Sequence, residues 1–450
     1  MNLGKTVKKF RLLLQHDLTR GISWSVIGSL FVQLSGLISS IAVARLIGKE
    51  DFGTYGFILT TVATTALIGG QGLSVAATKR VAEFRSTNKD HAGFSIAVSI
   101  LVSIALSLVM ALLLFTNSTF FCKVFGVNER LAFFLRCSAP LVLTGTVTQV
   151  LLGLLYGLEE FKSASFGQIL VSFLRLLFVV GGALGFGLTG CIVGLVCAES
   201  IFMLVQFVTL NRTVNRQGIK IKLGGFEQER SHLLRFALPT YVSSLLLGPT
   251  NWICQATLIA GKHGVADLAV FNACWQWRTA ICFLPQKLQG VGLPKLCQYR
   301  AKNEKKKFYQ FFFQNSLVAI FSSVVVVLPL FFLATFILRL YGKDFSQEVN
   351  VFYVTLLTSI FQVAARSQMQ AIHAGGGGQF DLLSSIIRSI TQLGCWYFLS
   401  YLGALGLSIS ILISYAVLNC FTWFFLYVDA YRWSKKMGAR QQPRSESSLS

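Results

Sequence analysis

Residues 48–55 have the sequence Gly-Lys-Glu-Asp-Phe-Gly-Thr-Tyr, and residues 264–271 have the sequence Gly-Val-Ala-Asp-Leu-Ala-Val-Phe. Both fit one pattern, Gly-x-x-Asp followed by an apolar residue, a small residue, any residue and an aromatic residue. Three further matches follow in order at the same separation or at one that is three positions longer, namely Phe125-Gly126 with Tyr341-Gly342, Phe161 with Phe380, and Gly187-Leu188 with Gly406-Leu407. Four matches at a nearly constant spacing indicate an internal repeat, so the sequence predicts two halves built on one pattern.

The segments between these motifs are long and apolar. Hydrophobic residues make up 54% of the chain, charged residues only 13%, and the mean hydropathy is +0.63. An α-helix needs about 20 apolar residues to cross about 30 Å of hydrocarbon, and these runs are continuous instead of alternating, which favours helices over barrel strands. We predict about twelve spans, at residues 22–47, 55–76, 92–116, 131–156, 164–187, 189–210, 234–260, 266–290, 309–340, 350–373, 380–402 and 405–430.

Each half of the repeat holds six of these spans, and an even number means that both halves enter the membrane from the same side. The prediction is therefore an all-α polytopic membrane protein with about twelve transmembrane helices, in two parallel six-helix halves around a central cavity. The predicted organisation is a basic cytoplasmic N-terminal segment (1–20), an N-terminal six-helix bundle (21–210), a cytoplasmic linker (211–233), a C-terminal six-helix bundle (234–431) and a basic polar C-terminal tail (432–450).

The formal net charge is +22, and most Lys and Arg residues lie in alternate connections between the predicted spans. By the positive-inside rule both termini are predicted to be cytoplasmic. No single basic patch forms, so nucleic acid is not an expected partner. Residues 1–20 do not fit a cleavable signal, and they fit either a helix on an anionic inner leaflet or a disordered basic tail. The cysteines and histidines show no metal-binding spacing, so we expect neither a metal nor another cofactor.

Two stretches resemble a known family. They are Ala44-Arg45-Leu-Ile-Gly48 running into Asp51-Phe52-Gly53-Thr-Tyr55-Gly56, and Tyr156-Gly157-Leu158-Glu159-Glu160-Phe161-Lys162. The sequence is similar to the polysaccharide flippases of the Wzx or O-antigen-transporter type, in the multidrug/oligosaccharidyl-lipid/polysaccharide exporter (MOP) superfamily. The resemblance implies a multi-pass protein of the bacterial cytoplasmic (inner) membrane that translocates undecaprenyl-pyrophosphate-linked oligosaccharide repeat units by alternating access. It also implies the lipid-linked oligosaccharide, membrane lipids and a polysaccharide polymerase or co-polymerase as partners.

Four arginines lie inside predicted spans, namely Arg175, Arg278, Arg366 and Arg388. An Arg at the bilayer centre costs about 2.5–3.5 kcal/mol on insertion scales, so one that is kept there usually faces a cavity or a partner. Helical spacing places Gln168 on the face of Arg175, Gln362 on that of Arg366 and Gln392 on that of Arg388. Because Arg presents a planar, always charged fork to phosphate oxygens, we hypothesise that these seven residues line a cationic cavity that binds the head group. The alternative is that some of the arginines pair with Glu199, Asp381 or backbone carbonyls and never contact substrate.

The acidic residues inside spans invite a second hypothesis. Glu199 and Asp381 are candidates for ion coupling through protonation, and a salt bridge to a neighbouring Arg explains them at least as well. Asp51 and Asp267 occupy matched repeat positions beside helix starts and are predicted helix caps. The run Gly375–Gly378 is predicted to be a cytoplasmic hinge, since a phosphate-binding loop would be followed by Lys and Ser or Thr.

Other functions fit less well. An ion-coupled exporter of drugs or metabolites on the same fold is the first alternative, although acidic residues would then be expected in the first half for cationic cargo. A membrane enzyme such as a glycan polymerase or ligase needs a sizeable outer loop with catalytic residues, and every predicted outer connection is short, so we predict that the chain is not an enzyme. A scaffold without transport activity does not explain arginines that are costly to bury.

Overall fold

The computed structural model describes residues 17–85, 87–124, 129–221, 247–261, 264–290, 292–375 and 380–441, with most side chains from residue 24 onward. Several predicted features lie outside these residues: the N-terminal segment up to residue 16, the Phe125-Gly126 pair, residues 222–246 of the linker and seventh span, most of the Gly375–Gly378 run and the tail from residue 442. Throughout the described ranges the regular structure is helical and contains no β-strand.

In the described part of the N-terminal half there are four helices. They are α1 (Asp17–Phe84), α2 (Lys89–Val124), α3 (Arg130–Gly157) and α4 (Phe161–Gln217). The C-terminal half contains α5 (247–259), α6 (Gly264–Gly290), α7 (Gly292–Ala301), α8 (Lys305–Phe332), α9 (Ala334–Tyr341), a 3-10 turn at Lys343–Glu348, α10 (Val349–Ala374), α11 (Phe380–Leu399), a 3-10 turn at Ser400–Leu402 and α12 (Gly403–Gln441).

The two longest helices are interrupted by kinks. Helix α1 has 68 residues, which at 1.5 Å per residue would be about 100 Å long if straight, against about 30 Å of hydrocarbon. Its backbone leaves helical geometry at Gly48 and Gly70, and α4 does so at Phe186 and Gly187. Within the described residues, seven helical stretches are long and apolar enough to cross a membrane, and the longest of them, of 47, 57 and 52 residues, contain the bends at Gly48, Gly187 and Gly403. The prediction of an all-α polytopic membrane protein is confirmed.

The repeat is visible in the backbone. Gly187 has φ 57° and ψ −135°, and Gly403 in the second half has φ 58° and ψ −131°. Gly48 and Gly264, which have the same separation in the sequence as Gly187 and Gly403, both have positive φ, a region that glycine enters without a steric penalty. The sequence pattern had matched Gly187 with Gly406, and the backbone corrects this match by three positions.

Gly406 matches Gly190 instead, because both glycines allow close packing beside a bend. A Cβ at Gly190 would lie 1.9 Å from the carbonyl oxygen of Gly182, and one at Gly406 would lie 2.0 Å from the carbonyl oxygen of Leu399. Gly190 and Gly406 therefore have the same role, close approach of the helices on either side of a bend, and their separation is again that of the repeat. Helices α4 and α11 also begin at the matched Phe161 and Phe380.

The two halves meet where the repeated pattern lies. Helix α1 packs on α6, with Gly53 against Val265 and Gly56 against Asn272. A Cβ at Gly53 would lie 2.0 Å from the carbonyl oxygen of Val265, and one at Gly56 would lie 2.0 Å from Asn272 Nδ2. Gly53 thus allows the two halves to approach to backbone contact, and Gly56 leaves room for the Asn272 side chain.

We expect Gly53→Ala to destabilise the protein, because the new methyl group overlaps a backbone oxygen that cannot turn away. Overpacking of this kind costs about 1–3 kcal/mol. The matched control is Gly181→Ala, since a Cβ at Gly181 meets no atom within 4 Å and Ala is the better helix former. Thermal unfolding of the purified variants should show a lower Tm for the first and an unchanged or higher Tm for the second. Equal Tm values for the two would contradict the packing argument.

A cluster of side chains joins α7 to α12 at the end of the C-terminal half opposite the Gly264 turn. The Arg300 guanidinium donates two hydrogen bonds to the Asp429 carboxylate, each 2.8 Å long, and lies 3.9 Å from the centroid of the Trp433 ring. Trp433 Nε1 in turn donates to Asn303 Oδ1 at 3.3 Å. Such a bidentate pair fixes both distance and orientation of the two helices.

Candidate functional site

A cavity of about 350 Å³ lies inside the N-terminal half. The second segment of α1 (59–70), α3 (141–149) and both segments of α4 line it, the last through Arg175, Leu195 and Glu199. Arg175 Nη1 lies 3.5 Å from Glu199 Oε1, so the two segments of α4 are joined by an ion pair across the Gly187 bend. The charge of Arg175 also acts on the buried hydroxyl of Tyr55, the aromatic residue that closes the repeated pattern.

The ion pair combines the two explanations considered for these residues. Arg175 lines the cavity, with 38% of its side chain exposed, and it is neutralised by Glu199, with 19% exposed. Gln168 lies beside the pair in a smaller recess, of about 50 Å³, that Arg175 and Glu199 also line. The polar lining of the N-terminal half is therefore close to neutral.

The C-terminal half has a different arrangement around Arg278. This side chain is 6% exposed, and its Nη1 donates a hydrogen bond to Gln362 Oε1 at 2.7 Å. Its guanidinium carbon lies 3.3 Å from the centroid of the Trp275 ring, a cation–π contact. The Cys282 thiol on α6 lies 3.5 Å from the same Gln362 oxygen, and Arg366, one helical turn after Gln362 on α10, has an exposed side chain.

Arg388 on α11 adds a third positive charge to this region. Its guanidinium carbon lies 4.4 Å from the centroid of the Tyr415 ring, and the charge of Arg278 acts on it directly. The Nε atoms of both Arg278 and Arg388 are buried without a hydrogen-bond partner. Among the residues that the structure describes, Arg278, Arg366 and Arg388 form no ion pair with a carboxylate. We refer to these three side chains as the arginine cluster.

The remaining predicted site residues have partners of their own. Gln392 is fully buried, and its Nε2 donates to Asn251 Oδ1 at 2.9 Å, while its Oε1 has no partner. Asp381 lies at the start of α11, with Oδ1 2.8 Å from His373 Nε2 at the end of α10. From the sequence alone, Asp381 is a candidate partner for one of the arginines, but in the structure its partner is the histidine across the α10–α11 connection.

The two halves are held together at the end that carries the Gly48 and Gly264 turns, here called the Gly48 end. Arg45 Nε donates to the carbonyl oxygen of Leu340 at 2.6 Å, and its Nη2 donates to that of Arg339 at 3.2 Å. Lys49 Nζ donates to the carbonyl oxygen of Asp344 at 3.3 Å. Arg45 of the first half thus caps the negative end of α9 in the second, and Lys49 contacts the 3-10 turn that follows α9.

An aromatic cluster fills the space beside these contacts. The ring of Phe52 has centroid distances of 6.0 Å to Tyr341 and 6.1 Å to Phe345, within the range of favourable aromatic pairs. Tyr341 and Phe345 are almost completely buried. The sequence pointed to Arg45 and Phe52 only as parts of a family pattern, because the backbone acceptors of Arg45 leave no mark in the sequence.

The family of polysaccharide biosynthesis proteins matches residues 18–285 of the chain. The protein belongs to this family. Among individual members, the EPS I polysaccharide export inner membrane protein EpsE of Ralstonia solanacearum is 25% identical over 276 residues, 59% of this chain and 60% of that protein. The match thus spans less than two thirds of that relative. Stage V sporulation protein B of Bacillus subtilis is 21% identical over 407 residues, 85% of this chain and 77% of that protein.

Solved structures of the MOP superfamily share the fold of this polysaccharide biosynthesis family member. An inward-facing multidrug resistance MATE family transporter matches with a TM-score of 0.79 at 16% identity, over 90% of this chain and 96% of that one. A MOP superfamily transporter from Pyrococcus furiosus, described as having a binding pocket of reverse polarity, matches with a TM-score of 0.69 at 18% identity, over 94% and 98%. The family match confirms the predicted resemblance to polysaccharide exporters, and these structures share the fold. The family agrees with the prediction that the chain is not an enzyme.

Proposed function

We propose that this protein is a flippase for undecaprenyl-pyrophosphate-linked oligosaccharide repeat units, precursors of O-antigen, capsule or exopolysaccharide. It would move them across the bacterial cytoplasmic membrane by alternating access, with both chain termini cytoplasmic. The observation that supports this proposal is the arginine cluster, three positive charges that lack a carboxylate partner among the described residues.

The cluster favours an anion on physical grounds. Arg278 is buried and Arg388 is half-buried, whereas Arg366 is exposed, and Gln362 and the rings of Trp275 and Tyr415 offset only part of the cost of burying the first two charges. The unpartnered Nε atoms of Arg278 and Arg388 leave donors free for acceptor oxygens. A pyrophosphate group brings negative charge and several acceptor oxygens, while the polyprenyl chain can stay in the lipid.

The Gly48 end suggests which state the structure represents. The positive-inside rule places this end at the outer face, where Arg45, Lys49 and the Phe52 cluster close the space between the halves. A protein closed there receives its cargo from the inner leaflet and must break these contacts to release it. The inward-facing transporter with the same fold is consistent with that order of events.

The second candidate function is an ion-coupled exporter of drugs or metabolites, and Glu199 is the observation that favours it. An acidic residue in the cavity of the N-terminal half could bind a cation. The ion pair with Arg175 neutralises it, however, and the arginine cluster, which lacks a carboxylate partner in the described part of the chain, lies in the other half.

Reconstitution tests the proposal. Purified protein in vesicles should transfer a labelled undecaprenyl-pyrophosphate oligosaccharide between leaflets, as measured by access of a glycan-modifying enzyme added outside. Cationic dyes should not be exported by the same vesicles. Dye export without glycan transfer would favour the second function and overturn the first.

We expect Glu199→Gln to abolish the stimulation of transfer by a proton gradient, because it removes the carboxylate in the N-terminal cavity and leaves Arg175 positive throughout the cycle. Asp381→Asn is the matched control, since its carboxylate pairs with His373 at a helix junction. Transfer rates with and without an imposed gradient give the comparison. If Asp381→Asn alone loses the stimulation, the coupling residue is Asp381 and the assignment to Glu199 is wrong.

A further inference from the structure

A recess of about 560 Å³ opens at the end of the N-terminal bundle opposite the Gly48 end. It lies where α1 and α4 begin and where the second segment of α4 ends, and it is lined by Trp24, Lys162 and Arg212 among others. Its volume exceeds that of the cavity around Arg175. Neither the arginine cluster nor the Arg175–Glu199 pair contributes to it.

The recess is positively charged. Arg216 Nη2 lies 3.1 Å from Glu160 Oε1, and the other oxygen of this carboxylate accepts a hydrogen bond from Ser163 Oγ at 3.1 Å, so the one acid among the described lining residues is satisfied. Lys162 and Arg212 form no ion pair with a carboxylate of the described residues. They leave two positive charges facing an open space, with the hydroxyls of Thr209 and Thr213 beside them.

The surroundings of the recess match a membrane interface. Lys162 Nζ lies 5.7 Å from the Trp24 ring centroid, and Trp is typical of the headgroup level of a bilayer. One turn further along α4 begins a strip of exposed apolar side chains at helical spacing, with Phe166 65%, Leu170 40% and Phe173 60% exposed. This strip runs from the recess along α4, a helix long and apolar enough to cross a membrane.

We infer that this recess binds the phosphate headgroup of an anionic phospholipid from the inner leaflet. Lys162 and Arg212 contact the phosphate oxygens, the threonine hydroxyls contact the glycerol end of the headgroup, and the acyl chains lie along Phe166, Leu170 and Phe173. Basic pockets between transmembrane helices on the cytoplasmic side are suited to such headgroups, and the positive-inside rule places this end there. The inference holds whatever cargo the protein moves.

The test measures lipid retention by the purified full-length protein. Protein is incorporated into vesicles of phosphatidylcholine with phosphatidylglycerol, and co-purifying phosphatidylglycerol is counted by native mass spectrometry. Each Lys or Arg near an anionic surface is worth about 1 kcal/mol, so the double variant Lys162→Gln/Arg212→Gln should bind the lipid about thirtyfold more weakly. The matched control is Lys302→Gln/Lys306→Gln, which removes two exposed basic residues at the same end of the C-terminal half and should retain the lipid.

Three outcomes would overturn the inference. Equal losses in both double variants would show a general effect of surface charge, and no loss in either would show that the recess does not bind the headgroup. If the wild type bound soluble pyrophosphate and did not bind phosphatidylglycerol, the recess would be a site for free phosphate. Glycan transfer is not part of the readout, so failure here and failure of the proposed flippase function are distinguishable.

Discussion

Arg388→Gln is expected to lower transfer of the pyrophosphate-linked cargo by about tenfold to a hundredfold, because a hydrogen bond to a charged group contributes about 1.5–3 kcal/mol. The same variant should be as stable as the wild type or more stable. Arg388 has no carboxylate partner among the described residues, its Nε is buried without an acceptor, and the charge of Arg278 repels it. Loss of activity with no loss of stability is typical of a functional site that is costly to the fold.

The matched control for this prediction is Arg300→Gln. Arg300 has the partner that Arg388 lacks, since it donates two hydrogen bonds to Asp429. Because this pair is partly exposed, we expect its loss to cost about 1–2 kcal/mol of stability, with little effect on transfer by the remaining folded protein. Thermal unfolding and vesicle transfer measured on both variants separate the roles. If Arg388→Gln destabilises as much as Arg300→Gln, the cluster is structural and the anion argument fails.

Arg388→Lys separates the effect of the positive charge from that of the guanidinium shape. Lysine keeps the positive charge but presents a point charge instead of a planar fork. Partial recovery of transfer would show that charge alone accounts for part of the effect. Full recovery would contradict a requirement for bidentate contact with phosphate oxygens.

Arg45→Ala is expected to open the Gly48 end. The side chain donates to the carbonyl oxygens of Leu340 and Arg339, and because it is exposed we expect the two contacts together to be worth about 1–2 kcal/mol. Their loss should shift the equilibrium between closed and open states by about tenfold. Transfer should fall with it, because a protein that does not close this end cannot alternate.

The readout for Arg45→Ala uses a protein in which Cys274 is the single remaining cysteine. Cys274 is fully buried on α6, in the helix that follows the Gly264 turn. A membrane-impermeant thiol reagent added from outside should label it faster in Arg45→Ala than in the parent. Lys343→Ala is the control, since it removes an exposed cation at the same end. Unchanged labelling in Arg45→Ala would show that other contacts suffice to keep this end closed.

The membrane fold was predictable because apolar length and the repeat are both properties of the sequence itself. The helix starts at Phe161 and Phe380 and the bends at Gly48 and Gly264 lie where the pattern placed matched features. The match of Gly187 with Gly406 was wrong because glycine serves two purposes near that bend. Positive φ at Gly403 and close packing at Gly406 look the same in a sequence.

The partners inside the candidate site were harder to predict. Helical spacing groups residues on one segment, but Arg175 pairs with Glu199 on the segment beyond the bend. Asp381 similarly pairs with His373 on the preceding helix and not with Arg388 on its own. A contact between separate helices depends on their rotation about their axes, which periodicity within one helix does not fix.

The contacts of Arg45 have an evolutionary consequence. Its acceptors are main-chain oxygens, which every amino acid supplies, so substitutions at Leu340 and Arg339 can accumulate without removing them. Arg45 itself has no such freedom. A junction in which one partner is a side chain and the other is backbone can change on one side only, and this asymmetry lets the two halves diverge in sequence while they still fit each other.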